Sequence, residues 1–469
     1  MLCRMFQAAS LIHSTESSSI LRVISWNIGS LQTNPFEFWQ APGSSMRSFQ
    51  DKLDGSLRRS TIKVEEVVSQ DMMNEILGTI LDESQSKIML DIYKTLKLDT
   101  LHELITNPLI GLKRYVSLSD RVLRDHARYG RRPSLITGYS GDISSIEVWW
   151  PQYVHFMRNV NPWELLRDHD ISKFGLSGLS TFELEHFKVF QLVHLILTDA
   201  AFIRIAENIP GWNSAVNEFN IVSEAKFDRI SQIIESTNAD VICLQEVDIT
   251  ALHRFDAYDL FKPPESNGKQ DSLILLRKDK FKSSHSISVV RSVASAGDLV
   301  LLKSVHIPTG REIVVGSYHG DANGRTTIPF LSSLGSMRNI PDTVIIGSDT
   351  NAHANEELEN KLSFEQLTNF TMHAEWKLSN PNGEVTTKSC RTFMQAQSHK
   401  GHHVSDIHYQ SDPKDQILVR GDVRIVGSGI DFTGDGDDTV IPIPSARFPS
   451  DHALVWATLD LGTSHDDEL

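Results

Sequence analysis

Four short signatures carry the side chains in this sequence best suited to chemistry. Trp26-Asn27 closes one apolar run and Leu244-Gln245-Glu246 closes another. Gly347-Ser348-Asp349-Thr350-Asn351 and Ser450-Asp451-His452 follow in that order. Amide and carboxylate oxygens of this kind suit a hard divalent cation such as Mg²⁺. Such a cation is in turn what phosphoryl transfer requires, to polarise a P–O bond and neutralise developing charge. Each signature alone is ordinary. Asp349-Thr350-Asn351 is a common turn pair, and Ser450-Asp451-His452 reads equally well as a cap. Their order and their shared position at strand ends turn four weak signals into one specific pattern.

The elements that position these residues are legible in outline. Arg22–Ile28 reads as a short buried strand, and the next, Asp240–Glu246, comes more than two hundred residues later. Beyond it the grammar is regular: Ser272–Arg277, Leu299–His306, Glu312–His319, Thr343–Gly347, Gln416–Val419 and Ala453–Leu459 are β-rich runs bounded by turn residues. The stretch between the first two strands is helical in character. Val64, Val67, Val68, Met72, Ile76, Leu77 and Ile80 recur at helical spacing, and Ser180 with Glu183 forms a capping box for a long helix that must stop before Pro210. One more helix, with Val222, Ala225, Ile230, Ile233 and Ile234 on its apolar face, precedes the second strand. The expected division is therefore a leader of uncertain role at 1–20, the first part of a catalytic domain at 21–40, a helical insertion at 41–219, the remainder of the catalytic domain at 220–463, and an acidic tail at 464–469. The insertion enters at the C-terminal end of the first strand, beside the candidate cation ligands.

The ordered set resembles the endonuclease/exonuclease/phosphatase superfamily of deoxyribonuclease I-like metal-dependent phosphoesterases. The resemblance covers residues 21–40 and 220–463 and omits the insertion. It implies a two-sheet α/β sandwich, and it implies roles. Glu246 matches the principal metal carboxylate, Asn27 the amide beside it, and Asp451 a second carboxylate on the metal side. Asp349 and Asn351 match the pair that handles the attacking water and holds the phosphate, and His452 matches the imidazole at phosphorus. Asp415, opening a strand in Lys414-Asp415-Gln416, fits the acid that holds that imidazole, and His319 fits the histidine that ends a middle strand. A histidine held by a buried carboxylate acts as a base or as a charged phosphate ligand. Whether Asp349 or His452 takes the proton stays open at this level. Arg391 is a candidate phosphate clamp through its bidentate fork, with a surface arginine as the alternative. Asp321 and Asn323 either line the cleft or make the turn that Gly324 closes. Here the first Asn and the metal Glu are separated by far more residues than in most of the family, and the substrate loops match no one subgroup.

Composition narrows the reading. With 469 residues, 40% of them hydrophobic, the chain can bury a substantial core. A net charge of −15 argues against a protein that grips long duplex DNA through its phosphates. The expected activity is hydrolysis of a phosphodiester or phosphomonoester with Mg²⁺, or Mn²⁺, as cofactor. A nucleic acid or nucleotide is slightly favoured over a phospholipid or phosphoinositide headgroup. The rival is a catalytically decayed member of the fold that binds a protein partner through its insertion; survival of the metal Glu, the Asp-x-Asn pair and the terminal His argues against it. Three scattered cysteines, Cys3, Cys243 and Cys390, make neither a disulfide framework nor a zinc site. Phe190–Ala206 is apolar but interrupted by His194, Asp199 and Arg204, which suits a buried helix and not a membrane span. The expected location is the cytoplasm. The terminal Asp466-Asp467-Glu468-Leu469 resembles an endoplasmic-reticulum retrieval signal, which takes effect only if the leader is translocated.

Overall fold

A computed structural model describes residues 19–29, 34–38, 40, 43–106, 130–167, 180–266, 270–287, 294–338, 340–354, 360–391, 408–432, 443–445 and 447–462. The chain divides into two compact units. One comprises Gln32–Glu224 with Cys390–His408, and the other Met1–Leu31, Ala225–Ser389 and Tyr409–Leu469.

The first of these is helical: α1 (Ser45–Arg58), α2 (Gln70–Ile80), α3 (Glu83–Leu96), α4 (Leu101–Thr106), α5 (Ile146–Val160), α6 (Pro162–Arg167), α7 (Thr181–Ala206) and α8 (Trp212–Glu224). The helical spacing from Val64 to Ile80 is not one helix. A single 3-10 turn covers Val64–Glu66, and Ser69, whose hydroxyl accepts the Met72 N–H, starts α2 afresh. The capping box at the start of α7 forms as expected: Ser180 Oγ accepts from Glu183 N, and Glu183 Oε2 accepts from Ser180 N at 2.8 Å. Among the described residues α7 contains the one stretch long and apolar enough to cross a membrane, and 89% of that window is buried. Its polar interruptions have internal partners. Asp199 pairs with Arg132 at 2.9 Å, both side chains buried, and accepts from Ser134 Oγ at 2.6 Å. His194 Nε2 meets the Leu104 carbonyl at 3.0 Å. A helix buried on all sides has no exposed face for such groups, so each must find a hydrogen bond inside.

The other unit is built on two six-stranded sheets. Its elements are β1 (Ile20–Asn27), α9 (Lys226–Thr237), β2 (Val241–Val247), β3 (Tyr258–Phe261), β4 (Asp271–Arg277), β5 (Phe281–Ser286), β6 (Leu299–His306), β7 (Glu312–His319), α10 (Thr327–Gly335), β8 (Val344–Asp349), α11 (Phe364–His373), β9 (Trp376–Leu378), β12 (Asp415–Arg420), β13 (Arg424–Asp431) and β14 (Leu454–Asp460). A two-stranded ribbon pairs β10 (Ser389–Arg391) with β11 (His408–Gln410). One sheet runs β13-β14-β1-β2-β4-β3 and the other β5-β6-β7-β8-β12-β9. The single helix read across Val222–Ile234 is two: Val222 lies in α8, and Ala225 caps the separate helix α9.

Strand alternation sorts the apolar residues into layers. Val23, Val241, Cys243, Val315, Ile345, Ile417 and Val455 fill the space between the sheets. Ile24, Trp26, Ile242 and Leu244 face the other way, onto Phe227, Ile230 and Ile234 of α9. Val314, Tyr318, Ile346 and Leu418 pack against Phe330 and Leu334 of α10 and Leu367 of α11. The result is an α/β sandwich of the deoxyribonuclease I-like type, with helices outside both sheets. The sheets approach closely at Gly347, where a Cβ would lie 2.4 Å from Cys243 Cβ and 3.0 Å from Ser25 Cβ. Only a residue without a side chain fits there.

Candidate active site

The alternation that builds the inter-sheet core also delivers the polar residues. In β1 the inward series Val23, Ser25 ends at Asn27. In β8 the series Ile345, Gly347 ends at Asp349, and in β12 the series Val419, Ile417 begins at Asp415. Register aligns them: Asn27 lies opposite Gln245, Asp349 opposite Asp415, and His319 opposite Asp349. One end of the sandwich therefore collects side chains that are far apart in sequence.

Glu246 is the exception to simple alternation, since it follows inward-facing Gln245. The ladder between β2 and β4 slips between Leu244 and Val247, and Glu246 takes φ +53, a left-handed conformation unusual for a residue with a Cβ. The distortion turns its carboxylate back to the site. Asn27 Nδ2 donates to Glu246 Oε1 at 3.1 Å and to Asp349 Oδ2 at 2.9 Å, while its Oδ1 accepts the Gly29 N–H at 2.9 Å. One buried amide thus bridges a carboxylate from each sheet. Gln270 Nε2 donates to the other Glu246 oxygen at 3.2 Å. Asn351, also left-handed at φ +51, donates its N–H to Asp349 Oδ1 at 2.9 Å and its Nδ2 to the Gly320 carbonyl at 2.9 Å. Backbone strain of this kind persists where the surroundings over-determine a functional geometry.

Two histidines flank Asp349. His452 Nδ1 lies 3.0 Å from both oxygens of Asp415 and 3.8 Å from Asp349 Oδ2. Burial alone would lower the proton affinity of this ring, but the Asp415 and Asp349 carboxylates outweigh it and hold its pKa up at about 10. His319 Nε2 lies 3.5 Å from Glu246 Oε1 and 3.7 Å from Asp349 Oδ2, and its Nδ1 faces Asp298 at 3.6 Å. Burial again opposes the charge, and Asp298, Glu246 and Asp349 overcome it, raising this ring to about 9. Both imidazoles are therefore held toward the protonated form. For Asp349, burial pushes the carboxyl up, and the cations of His452, His319 and Lys414 pull it below its ordinary value. Burial pushes Asp415 up against the pull of His452.

The loop before β14 is locked to β1. Ser450 Oγ donates to the Asn27 carbonyl at 2.6 Å and accepts the His452 N–H at 3.1 Å, and Trp26 Nε1 donates to the His452 carbonyl at 2.8 Å. Asp451 sits beside Gly29: a Cβ there would lie 3.1 Å from Asp451 Oδ1. Gly29 has φ +61, so both its conformation and its neighbour call for glycine.

The donor set around Asn27 fits a hard divalent cation. Its anionic oxygens, Glu246 and Asp349, flank one amide, and no sulfur ligand is near. Asp349, Asp415 and His452 also offer ligand atoms within 4.8 Å of one another. His452 Nδ1 is committed to Asp415, however, and a protonated ring has no lone pair to give. The carboxylates of Glu246 and Asp349, both facing the Asn27 amide, offer a second set of oxygen ligands.

Of the residues expected from the sequence, Asn27, Glu246, His319, Asp349, Asn351, Asp415 and His452 form one connected group, with Asp451 beside it. Asn323 has a backbone part in a turn: its N–H donates to Asp321 Oδ2 at 3.3 Å and its carbonyl accepts from Leu362 N at 2.8 Å. Asp321 makes that turn by also accepting from Thr326 N and Oγ1. The side chain of Arg391 lies outside the described residues. Asp298 was not singled out from sequence, and Ser450 and Lys414 were read only as neighbours of Asp451–His452 and of Asp415; each contributes through contacts with residues distant in the chain.

Comparison with known proteins accords with this geometry. A family model described as "Endonuclease/Exonuclease/phosphatase family" matches residues 212–452, and one described as "Domain of unknown function (DUF8234)" matches residues 61–215. No curated protein matches the sequence. Similar solved structures include a humanized D. rerio TDP2 carrying 14 mutations, at 16% identity over 51% of this chain and 93% of that one, with a TM-score of 0.36. An endonuclease/exonuclease/phosphatase from Bacteroides vulgatus gives 16% identity over 52% and 94%, with a TM-score of 0.37. The human Nocturnin catalytic domain with bound sulfate gives 17% over 50% and 84%, with a TM-score of 0.32. Because the family model spans more than half of the 469 residues and ends on the histidine that closes the site, this chain belongs to the endonuclease/exonuclease/phosphatase family and has a phosphoesterase-type function.

Proposed function

We propose that the chain is a Mg²⁺-dependent phosphoester hydrolase, with Mn²⁺ able to substitute, acting on a nucleotide or a nucleic-acid end. The observation that carries this reading is the bridging of Glu246 and Asp349 by Asn27, next to an imidazole held charged by Asp415. Glu246 and Asp349 would hold the cation, with the Asn27 amide setting their spacing and Asp451 nearby. When bound, the cation supplies charge neutralisation at the phosphoryl oxygens.

The chain's own residues supply the rest. Asp349, kept ionised by three neighbouring cations, is an acceptor that orients the attacking water by taking its hydrogen bond. His452, held toward the protonated form by Asp415, would serve as a charged donor to a phosphoryl oxygen, which supports Asp349 as the residue that handles the water. His319 adds a second positive group on the Glu246 side, and Asn351, held by Gly320 and Asp349, would offer a neutral amide to the phosphate. The preference for a nucleotide or a strand end over long duplex rests on the net charge of −15.

The test is release of p-nitrophenol from bis(p-nitrophenyl) phosphate with and without Mg²⁺, followed by a panel of dinucleotides, short RNA and DNA, phosphoinositides and sphingomyelin. No Mg²⁺-dependent release from any substrate would sink the reading. Release from lipid headgroups alone would overturn the substrate class.

A further inference from the structure

A second imidazole–carboxylate pair lies outside the group described above. His353, two residues beyond Asn351, is buried, and its Nδ1 lies 3.2 Å from Asp412 Oδ2. The other Asp412 oxygen accepts the Ala354 N–H at 3.0 Å. Burial pushes the Asp412 carboxyl up, but the His353 hydrogen bond, the Ala354 amide and Lys414 bring it down to about 2. The carboxylate is therefore ionised at any working pH. Among the described residues His353 Nε2 has no hydrogen-bond partner, and the Asp412 bond orients the ring.

What distinguishes this pair is where its two ends are tied. On one side the His353 N–H donates to the Leu362 carbonyl at 2.9 Å, and the His353 carbonyl accepts from Phe364 N at 2.9 Å. That fixes the loop carrying Asp349 and Asn351 to the start of α11. On the other side the Asp412 carbonyl accepts from Thr386 N at 3.0 Å and Thr387 N at 3.1 Å, and its N–H donates to Thr387 Oγ1 at 2.9 Å. Thr386 Oγ1 in turn accepts the Asp415 N–H at 3.0 Å, the Thr386 carbonyl accepts from Ala453 N at 2.7 Å, and Thr387 forms an isolated bridge with His452. The Asp412 side chain, through His353 and the Ala354 N–H, thus joins the Asn351 loop to the two segments that carry Asp415 and His452, beside the Thr350 bonds to the Lys414 carbonyl.

We propose that His353 and Asp412 are a positioning pair that sets the spacing between Asn351 and the Asp415–His452 pair, and through it the rate of turnover, without touching substrate. Neither residue belongs to the four signatures. A misplacement on the order of 1 Å is enough to cost a phosphoryl-transfer site about a hundredfold in rate. The rate consequence rests on the phosphoester reading; the tie between the segments does not.

The experiment compares His353→Leu, which removes the donor, with His353→Asn, whose amide nitrogen falls near the place of Nδ1. His353→Leu should lower kcat on bis(p-nitrophenyl) phosphate by about tenfold or more, with KM within about twofold. His353→Asn should recover kcat to within about threefold of the unaltered protein. In the metal-free proteins, amide exchange at Ala354, Thr386 and Thr387 should quicken by about tenfold in His353→Leu and much less in His353→Asn. Unchanged kcat and exchange in His353→Leu would overturn the proposal, as would an Asn variant as impaired as the Leu variant in both. If the unaltered protein turns over no phosphoester, the proposed function fails while exchange alone decides the pair. Should His353→Leu not fold, Asp412→Asn, which keeps the volume and removes the charge, replaces it. It should lower kcat by about threefold to tenfold, and full activity in it would refute the pairing.

Discussion

Replacing Asp415 by Asn separates a catalytic pair from a structural one. Both Asp415 oxygens lie 3.0 Å from His452 Nδ1, and the carboxylate is fully buried. A hydrogen bond to a charged group contributes about 1.5–3 kcal/mol, and removing one half of a buried charge pair costs about 3–5 kcal/mol. Asp349, at 3.8 Å from the same ring nitrogen, stays in place and retains part of the electrostatic support. The loss at the barrier is then about 2–4 kcal/mol, or roughly 30- to 900-fold in kcat/KM. Stability should fall by less than the roughly 3–5 kcal/mol of a fully stranded buried charge, because the amide fills the same space and Asp349 still faces the ring. Without Asp415 the ring loses the largest favourable influence on its proton, so activity should begin to fall at lower pH than in the unaltered protein. The assay is kcat/KM across pH with Mg²⁺ saturating, beside a thermal melt of each variant. His452→Ala should cost at least as much, and the double variant little more than the worse single, since the two act as a unit. Normal turnover in Asp415→Asn would falsify the pairing, and strictly additive losses would show the two residues acting separately.

Other outcomes follow from the same geometry. Glu246→Ala should abolish Mg²⁺-dependent turnover, by roughly a hundredfold or more, with a melting temperature close to the original; retained Mg²⁺ dependence would remove Glu246 from the cation site. Gly347→Ala should destabilise by about 1–3 kcal/mol, because the new Cβ meets Cys243 Cβ at 2.4 Å and neither sheet yields cheaply; an unchanged melt would contradict the close approach. Asp199→Ala removes a buried ion-pair partner of the Arg132 guanidinium in the helical core and should cost about 3–5 kcal/mol by denaturant titration. His194 is neutral in the fold, its pKa pressed down to about 4 by burial. Below its ordinary value the unfolded chain takes a proton that the folded one refuses, so stability is fully present above about pH 6.5 and declines by up to about 3 kcal/mol as pH falls toward 4. Melts of His194→Gln between pH 7.5 and 4.5 should show a shallower decline, and an identical slope would clear His194 of the effect.

The sequence by itself determined the central strands and the polar residues at their ends, because a strand covered on both faces must be apolar throughout. The polar residues that break the apolar runs then stand out, as Asn27, Asp349 and His452 do, although all three are buried. In the two six-stranded sheets the four strands it did not disclose, β3, β5, β9 and β13, are the edges. Edge strands bury less, so Phe281–Ser286, with two of its six residues serine at the centre, carries no strand signal of its own. The break at Ala225 was likewise hidden, since Val222 and Ile230 keep helical spacing across the join between two compact units. Only the tertiary structure turned Glu246 inward, through a ladder slip and a positive φ that no residue type announces. It also brought Asp298 to His319 and Asp412 to His353. Those partners are chosen by register between strands and by the crossing of loops. Periodicity reports which face a residue occupies, and it carries no information about which distant residue will share that face.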